Sequence, residues 1–246
     1  MHARVLLLIL GLWCQASLAS ALTVEPNPVL VNATFRGGLV RVSGTTEPGS
    51  LVFVAITGSR VEEKLNRKGR LGPLWANVGS LRFSGAPRLC LVASSQPVPK
   101  NLDPQILAQH PLDLEAVVRQ SKVEPATDVA LMQREYLRLK KAQGVYGQFV
   151  GAVKVTPSGE QATYTASIPW PDKASAGEYA VEVVHLKQGA VIAHEKATLE
   201  VKLVGLPGFI SHLAFQKSAL YGILSVVIAL SVGFVTGLVF KKSVSH

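Results

Sequence analysis

The chain has 246 residues and a formal net charge of +9 at pH 7. Arg4 and three lysines beside a C-terminal apolar segment carry part of this charge, which leaves +5 for residues 22–210. A net charge of +5 is basic but not extreme, and we expect this segment to lie outside the cytoplasm. These two points exclude nucleic acid as a partner.

The N-terminus has the pattern of an export signal. Arg4 precedes the apolar run Val5–Trp13, and the triplet Ala19–Ala21 offers a small-residue cleavage site. This pattern predicts a secretory signal peptide over residues 1–21. Lipidation of Cys14 is the alternative, but the bulky tryptophan before it argues against that processing. Removal of the signal places the following residues outside the cytoplasm.

Residues 22–97 predict an N-terminal β-sandwich module. Hydrophobic and polar residues alternate in Leu39–Thr46 and Ser50–Thr57, as in half-buried strands. The Glu47–Gly49 turn joins them, and we expect Asn66–Gly72 to be a charged loop between later strands.

Cys90 lies in an apolar, strand-like run without an adjacent histidine or acid. This context predicts a buried small hydrophobic residue and not a nucleophile. Because Cys14 leaves with the signal peptide, no internal disulfide can form, and an intermolecular bridge is the lesser alternative.

Two clusters of basic residues lie at 60–70 and 134–141, with glutamates interleaved. A solvated face is the favoured interpretation, and a site for an anion or a lipid headgroup is the alternative. The possible surface interaction site consists of Arg60, Lys64, Arg67, Lys68 and Arg70.

Residues 98–146 predict a helical insertion. One helix is expected over Thr127–Gln143, capped by its first residue or by Asp128 and ended by Gly144. Its apolar face would consist of Val129, Met132, Tyr136 and Leu139. A shorter helix is expected within Leu112–Ser121, and whether the insertion packs on the β-rich parts stays open.

Residues 147–203 predict an immunoglobulin-like β module. A strand ends near Pro169, and Gly177 and Tyr179 open the next one, as in sandwiches where a buried tyrosine hydroxyl bonds the backbone near the turn. The closing strand is expected over Lys196–Leu203. The fold class is therefore mainly β, with either two sandwich modules or one sandwich interrupted by helices.

Residues 219–240 contain no charged residue and, at about 1.5 Å per residue, form a helix of about 33 Å. This length predicts a transmembrane helix, with residues 241–246 as a cytoplasmic tail because Lys241 and Lys242 follow it. Small residues every fourth position predict a helix-packing face for a homodimer or another membrane protein, although such residues are common in spans. They are Ser225, Ala229, Gly233 and Gly237.

Residues 204–218 predict a juxtamembrane segment. We expect a hinge at Gly205–Gly208 and a short interfacial helix within Pro207–Phe215, with a simple linker as the alternative.

The histidines of the mature chain show no metal-ligand spacing. His185 and His194 lie in neighbouring predicted strands and could face each other, but a satisfied or half-exposed histidine is the favoured interpretation. We therefore expect no catalytic residue, no metal ligand and no cofactor, and no enzyme activity.

Several passages together resemble a known family: Phe35–Gly37, Lys64–Asn77, Phe83–Pro87, Gly144–Tyr146, Pro169–Tyr179 and Tyr221–Gly222. The chain is similar to uncharacterised single-span membrane proteins described chiefly from alphaproteobacteria as a putative transmembrane protein family. The resemblance brings no catalytic activity. It implies a partner, a multi-span permease of the sulfite or sulfonate exporter type, and Cys90 departs from the aromatic residue expected at its position.

Three functions fit the sequence. The first is a periplasmic accessory protein, anchored by a single span in the bacterial inner membrane, that binds such a permease. The second is a tethered envelope adhesion or scaffolding module. The third, a periplasmic hydrolase or redox enzyme, depends only on Cys90 and scattered histidines.

Overall fold

The computed structural model describes residues 22–126 and 128–243. The signal peptide predicted over residues 1–21, Thr127, and residues 244–246 of the predicted tail lie outside the described residues. The strands are β1 Thr23–Glu25, β2 Val29–Val31, β3 Gly38–Thr46, β4 Leu51–Thr57, β5 Arg60–Leu71, β6 Leu74–Pro87, β7 Cys90–Ser94, β8 Lys122–Glu124, β9 Tyr146–Val150, β10 Val153–Ser158, β11 Gln161–Trp170, β12 Gly177–Lys187 and β13 Ala190–Leu203. The helices are α1 Pro104–Gln109, α2 Leu114–Arg119, α3 Val129–Ala142, α4 Gly205–Gln216 and α5 Ser218–Ser243.

The strands form three sheets, so the described chain is mainly β, as the composition of its segments predicts. One sheet has the order β1-β3-β11-β10, a second has the order β2-β13-β12-β4-β7-β9, and a third has the order β5-β6-β8. Neighbours are antiparallel except for two parallel pairs, β2 with β13 and β7 with β9. Each of the first two sheets contains strands from before and from after the helical insertion, so the two β-rich parts of the sequence share them.

The four-stranded and six-stranded sheets pack on one cluster of buried side chains. Val40, Val42 and Ile168 reach it from the first sheet, and Val54 and Val181 reach it from the second. In β3 and β11 the buried residues alternate with exposed ones, which confirms the half-buried pattern predicted for Leu39–Thr46 and for the strand ending near Pro169.

Strand β4 differs from its prediction because it is buried on both faces. Val52, Val54 and Ile56 face the core between the sheets, whereas Phe53 and Ala55 point the other way and are also buried. The second face is covered by the helical insertion, whose side chains include Leu102 and Leu112 against Phe53 and Leu114 and Tyr136 near Ala55. The insertion therefore packs on the outer face of the six-stranded sheet.

Helix α3 confirms the predicted helix, and Gly144, with a φ of 77°, follows its last turn. Two details of the prediction are wrong. Asp128 occupies the cap position without a side-chain capping bond, because its backbone is left-handed. Leu139 is exposed, and Leu137 and Lys140 are buried in its place. Leu137 lies in the cluster that contains Val118 of α2, and Lys140 pairs with Glu63 of β5.

The charged loop predicted at Asn66–Gly72 is a strand. Arg60–Leu71 pairs with Leu74–Pro87 in a long antiparallel hairpin, and the turn is confined to Gly72 and Pro73. Most positions of this strand carry polar or charged residues, because neither face of its outer half is buried. The sequence therefore lacks the hydrophobic alternation that would have predicted a strand.

The hinge predicted at Gly205–Gly208 is wrong, because these residues form the first turn of α4. Pro207 fits there, since the first turn of a helix has amide groups without intrahelical partners. Gly208 lies against the end of β13, where an added Cβ would be 2.5 Å from the Leu203 carbonyl oxygen. After α4, the segment Ser218–Leu238 of α5 is long and apolar enough to cross a membrane.

The turn between β11 and β12 is fixed by Tyr179. Its ring is buried against Trp170, with centroids 4.9 Å apart, and its hydroxyl donates to the Ser175 carbonyl oxygen at 2.6 Å. By contrast, the buried hydroxyl of Tyr164 has no hydrogen-bond partner in the part of the chain that the structure describes.

These two tyrosines give a matched test of stability. Tyr179→Phe should lower the free energy of unfolding by about 1–2 kcal/mol, because it leaves the Ser175 carbonyl without its donor. Tyr164→Phe should be neutral or stabilising, since it removes a buried polar atom that makes no bond. Chemical denaturation of the detergent-purified protein measures both, and equal losses of stability would contradict the two assignments.

Candidate functional site

The hairpin of β5 and β6 is continuous with the six-stranded sheet. Thr57 of β4 pairs with Cys90 of β7, and Arg60 of β5 pairs with Pro87 of β6. Between these pairs, the Gly58 amide donates to the Leu89 carbonyl at 2.9 Å, and the Arg88 amide donates to the Ser59 carbonyl at 2.9 Å. Strands β4 to β7 therefore form one uninterrupted two-stranded arm, and we call its part from Arg60 to Pro87 the β-arm.

The β-arm leaves the sheet at the end from which the membrane helix follows. Strands β4 and β13 are both antiparallel to β12, so they run in the same direction. Strand β13 ends at Leu203, directly before α4 and α5. From Thr57 to Leu71 the arm measures at most about 45 Å, whereas β13 continues only about 17 Å beyond the level of Thr57. The arm is thus long enough to extend past the end of β13.

The tip of the β-arm exposes large apolar side chains. Leu71, Leu74 and Trp75 are 61%, 70% and 71% exposed, and Val78 is 44% exposed. Single exposed apolar residues are normal on a protein surface, whereas a group of them that lies together marks an interaction surface. This group is the strongest candidate contact surface outside the helices that follow β13.

Charge is segregated along the β-arm. The acids lie near its base, where Glu62 pairs with Arg82 at 3.1 Å and Glu63 pairs with Lys140 at 2.7 Å. Arg60 is also at the base, and its guanidinium donates to the Gly85 carbonyl at 2.6 Å. The remaining residues of the basic cluster lie further out and are exposed: Lys64, Arg67, Lys68 and Arg70. From Lys64 to Leu81 the sequence has no acid, so the outer half of the arm is purely cationic.

The base of the β-arm is fixed to α3 by a partly buried polar network. Lys140 is 7% exposed, and its ammonium group reaches Glu63 Oε2, which also accepts a bond from the Tyr136 hydroxyl at 3.1 Å. Burial and the Glu63 carboxylate raise the pKa of Tyr136, so its hydroxyl keeps the proton that it donates. The Tyr136 ring stacks on Phe83 of β6 at 4.3 Å. The arm is therefore held at its base and free at its tip.

The predicted helix-packing residues lie on a helix whose side chains are exposed throughout the described part of α5. An added Cβ at Gly233 or Gly237 would meet no atom within 4 Å. The Ser225 hydroxyl donates to the Tyr221 carbonyl at 2.8 Å, so it is satisfied within the helix, as an apolar environment requires. The contribution of this face to association would then come from close packing and not from hydrogen bonds.

Helix α4 also presents apolar side chains. Leu206, Phe209 and Phe215 are 67%, 58% and 87% exposed. Such residues directly before a membrane span suit the headgroup region of a bilayer.

The structure separates the two histidines that the sequence placed in neighbouring strands. His185 points into the core, where its Nδ1 lies 2.7 Å from the Thr46 hydroxyl. His194 points outward and lies instead beside Glu182 and His110, whose ligand atoms are all within 4.8 Å of one another. Sequence spacing gave no signal for this group, because His110 comes from the helical insertion and Glu182 is an ordinary strand residue.

Cys90 is buried, as predicted, and lies in the cluster beneath the insertion. Burial and the nearby Asp113 carboxylate raise its pKa to about 12. The residue is therefore a thiol at neutral pH, and this protonation state argues against a nucleophilic or redox role.

A comparison with protein-family models finds a match over residues 21–242 to the family described as Putative transmembrane protein (Alph_Pro_TM). No curated protein matches the chain.

The polar network at the base gives a test of how the β-arm is held. Lys140→Ala leaves Glu63 partly buried without its cation, which should cost about 2 kcal/mol, below the 3–5 kcal/mol typical of a fully buried pair. Hydrogen–deuterium exchange of the full chain should then quicken at the base of β5 and β6. Lys141→Ala, at the exposed neighbouring position, is the control, and equal exchange in both variants would contradict the bracing role.

Proposed function

Because the chain belongs to the putative transmembrane protein family (Alph_Pro_TM), we propose that it is a membrane-anchored accessory protein that binds an integral membrane protein. Its folded part lies outside the cytoplasm, and α5 anchors it. The observation that carries the proposal is the β-arm, whose exposed apolar and cationic tip projects from the same end of the sheet as the anchor.

The proposed topology has one span in a bacterial inner membrane, with the N-terminal region in the periplasm. It is supported by the signal-like residues 1–21 and by Lys241 and Lys242 after the span, since basic residues favour the cytoplasmic side.

We assign the two facing sheets to an immunoglobulin-like sandwich. The sheet orders β1-β3-β11-β10 and β2-β13-β12-β4-β7-β9 support this assignment, since each sheet draws strands from both halves of the chain. The tyrosine bond to Ser175 supports it further, because immunoglobulin-like sandwiches carry such a tyrosine at the corner between sheets. This architecture hosts many functions, so the function is argued from the β-arm and the span.

The proposed partner is a multi-span permease of the sulfite or sulfonate exporter type. The family resemblance suggests it, and the charge of the β-arm agrees with it. Four exposed cationic side chains without an intervening acid would raise the local concentration of an anion at the mouth of such a permease. The small-residue face of α5 would pack against a helix of the same partner.

The test is a mild-detergent purification of the tagged full-length protein from its own cells, followed by mass spectrometry of the co-purifying membrane proteins. Wild type should retain a permease. The Leu74→Ser, Trp75→Ser double variant and the Gly233→Leu, Gly237→Leu double variant should each retain about a tenth or less, which corresponds to a loss of about 1.4 kcal/mol of association energy.

Matched controls separate contact from general damage. Ile192→Ser changes an exposed apolar residue near the start of β13, at the opposite end of that strand from Leu203, and Ser231→Leu enlarges a small residue on another face of α5. Both controls should retain the permease. Recovery of the protein alone from wild-type cells would overturn the accessory role.

The second candidate is an envelope adhesion or scaffolding module, which the free tip of the β-arm also favours. In that case α5 is only a tether, so replacing its apolar segment with polyleucine should leave function intact. The accessory proposal expects the polyleucine variant to lose its membrane partner.

A further inference from the structure

A group of three potential metal ligands lies on the outer face of the six-stranded sheet. His110, Glu182 and His194 each place one ligand atom within 4.8 Å of the others. Glu182 Oε2 and His194 Nε2 are 3.1 Å apart, and the rings of His110 and His194 meet edge to face with centroids 4.6 Å apart. These residues belong to neither the β-arm nor the membrane helix.

The fold explains why these side chains meet. Val184 of β12 pairs with His194 of β13, and Glu182 is two residues from Val184, so Glu182 and His194 point to the same face of the sheet. His110 follows α1, which lies over that face. Its backbone is held on both sides, because its amide donates to the Ile106 carbonyl at 2.9 Å and its carbonyl accepts from the Leu112 amide at 2.9 Å. Two layers of the structure therefore fix the group.

We propose that His110, Glu182 and His194 form a binding site for a divalent transition metal of the zinc type. Two imidazoles and one carboxylate are a donor set that zinc accepts, and they differ from the all-oxygen sets that magnesium and calcium prefer. Ligand atoms of a tetrahedral zinc site lie about 3.3 Å apart, given metal–nitrogen distances of about 2.0–2.1 Å. The pair Glu182–His194, at 3.1 Å, is close to this spacing, and an approach of at most about 1.5 Å would bring the most distant pair, within 4.8 Å, to it.

The surroundings leave room for a further ligand. A cavity of about 110 Å³ adjoins the group and is lined by residues that include His110, Glu182, Gln120 and Arg60. A zinc ion with three protein ligands keeps a position for water or another molecule.

The alternative interpretation is that these side chains only form hydrogen bonds with one another and bind no metal. Glu182 and His194 bond each other without a metal, and Lys196, directly opposite Glu182 in the sheet, supplies a competing cation. The Nδ1 atom of His110 distinguishes the two interpretations, because it is buried and has no hydrogen-bond partner among the described residues. If the His110 ring only packed against its neighbours, this buried nitrogen would stay unpaired at a cost in stability. If the ring instead turned on metal binding, a nitrogen of His110 would coordinate the metal.

The experiment is isothermal titration of Zn²⁺ into the full-length protein, purified in detergent through a tag without histidines. Binding of one ion per chain is expected. His110→Gln, Glu182→Gln and His194→Gln should each weaken binding at least about 100-fold, because loss of a mere outer partner of a ligand already costs about 10- to 100-fold. His212→Gln, which removes a histidine of α4, is the control and should bind as wild type does.

A second measurement keeps the proposal open to refutation if a variant unfolds. Co²⁺ in place of Zn²⁺ should give the visible absorption of a tetrahedral nitrogen–oxygen site, and His194→Gln, at an exposed position, should abolish it while circular dichroism stays unchanged. Failure of the wild type to bind one ion, or wild-type affinity in His194→Gln, would overturn the site. Neither result bears on the membrane partner, since this inference does not depend on the β-arm.

Discussion

The burial of β4 on both faces is the constraint on which the rest of this structure depends. One face closes the core between the two larger sheets, and the other presents Phe53 and Ala55, which an uncovered sheet would expose to water. Fully burying one such large apolar side chain is worth about 1.5–3 kcal/mol. The helical insertion supplies that cover, and the cover in turn determines what surrounds it. It brings His110 over β12 and β13, and it places α3 where Lys140 can hold the β-arm that continues β4.

The sequence predicted secondary structure and burial correctly where a single hydrophobic pattern runs through a whole segment. The alternation of β3 and the uncharged run of α5 each have one environment along their length, so the pattern reports it directly. The sequence located β4 but missed the burial of its second face, which lies beneath the helical insertion. It failed in the outer half of β5, since that strand has no buried face at all.

The candidate sites were predicted unevenly for the same physical reason. The cationic residues were visible in the sequence, but their separation from Glu62 and Glu63 was not, because it depends on which acids find cations at the base of the arm. The apolar tip was not predicted, because its residues come together only when Leu71 pairs with Leu74 across the turn of a hairpin, where the sequence had predicted a loop over Asn66–Gly72. The group of His110, Glu182 and His194 joins residues far apart in sequence through the docking of the insertion, and no local pattern encodes that docking.

The way in which β13 is held has a mechanical consequence. The strand that leads to the membrane is bonded along its length to β12, from Gly177–Val201 to Lys187–Ala190, and its last residues also pair in parallel with β2. A pull on α5 therefore acts along these strands and loads their backbone hydrogen bonds in shear, so that many bonds share the force instead of opening one after another. The folded part can thus resist tension that reaches it through α5.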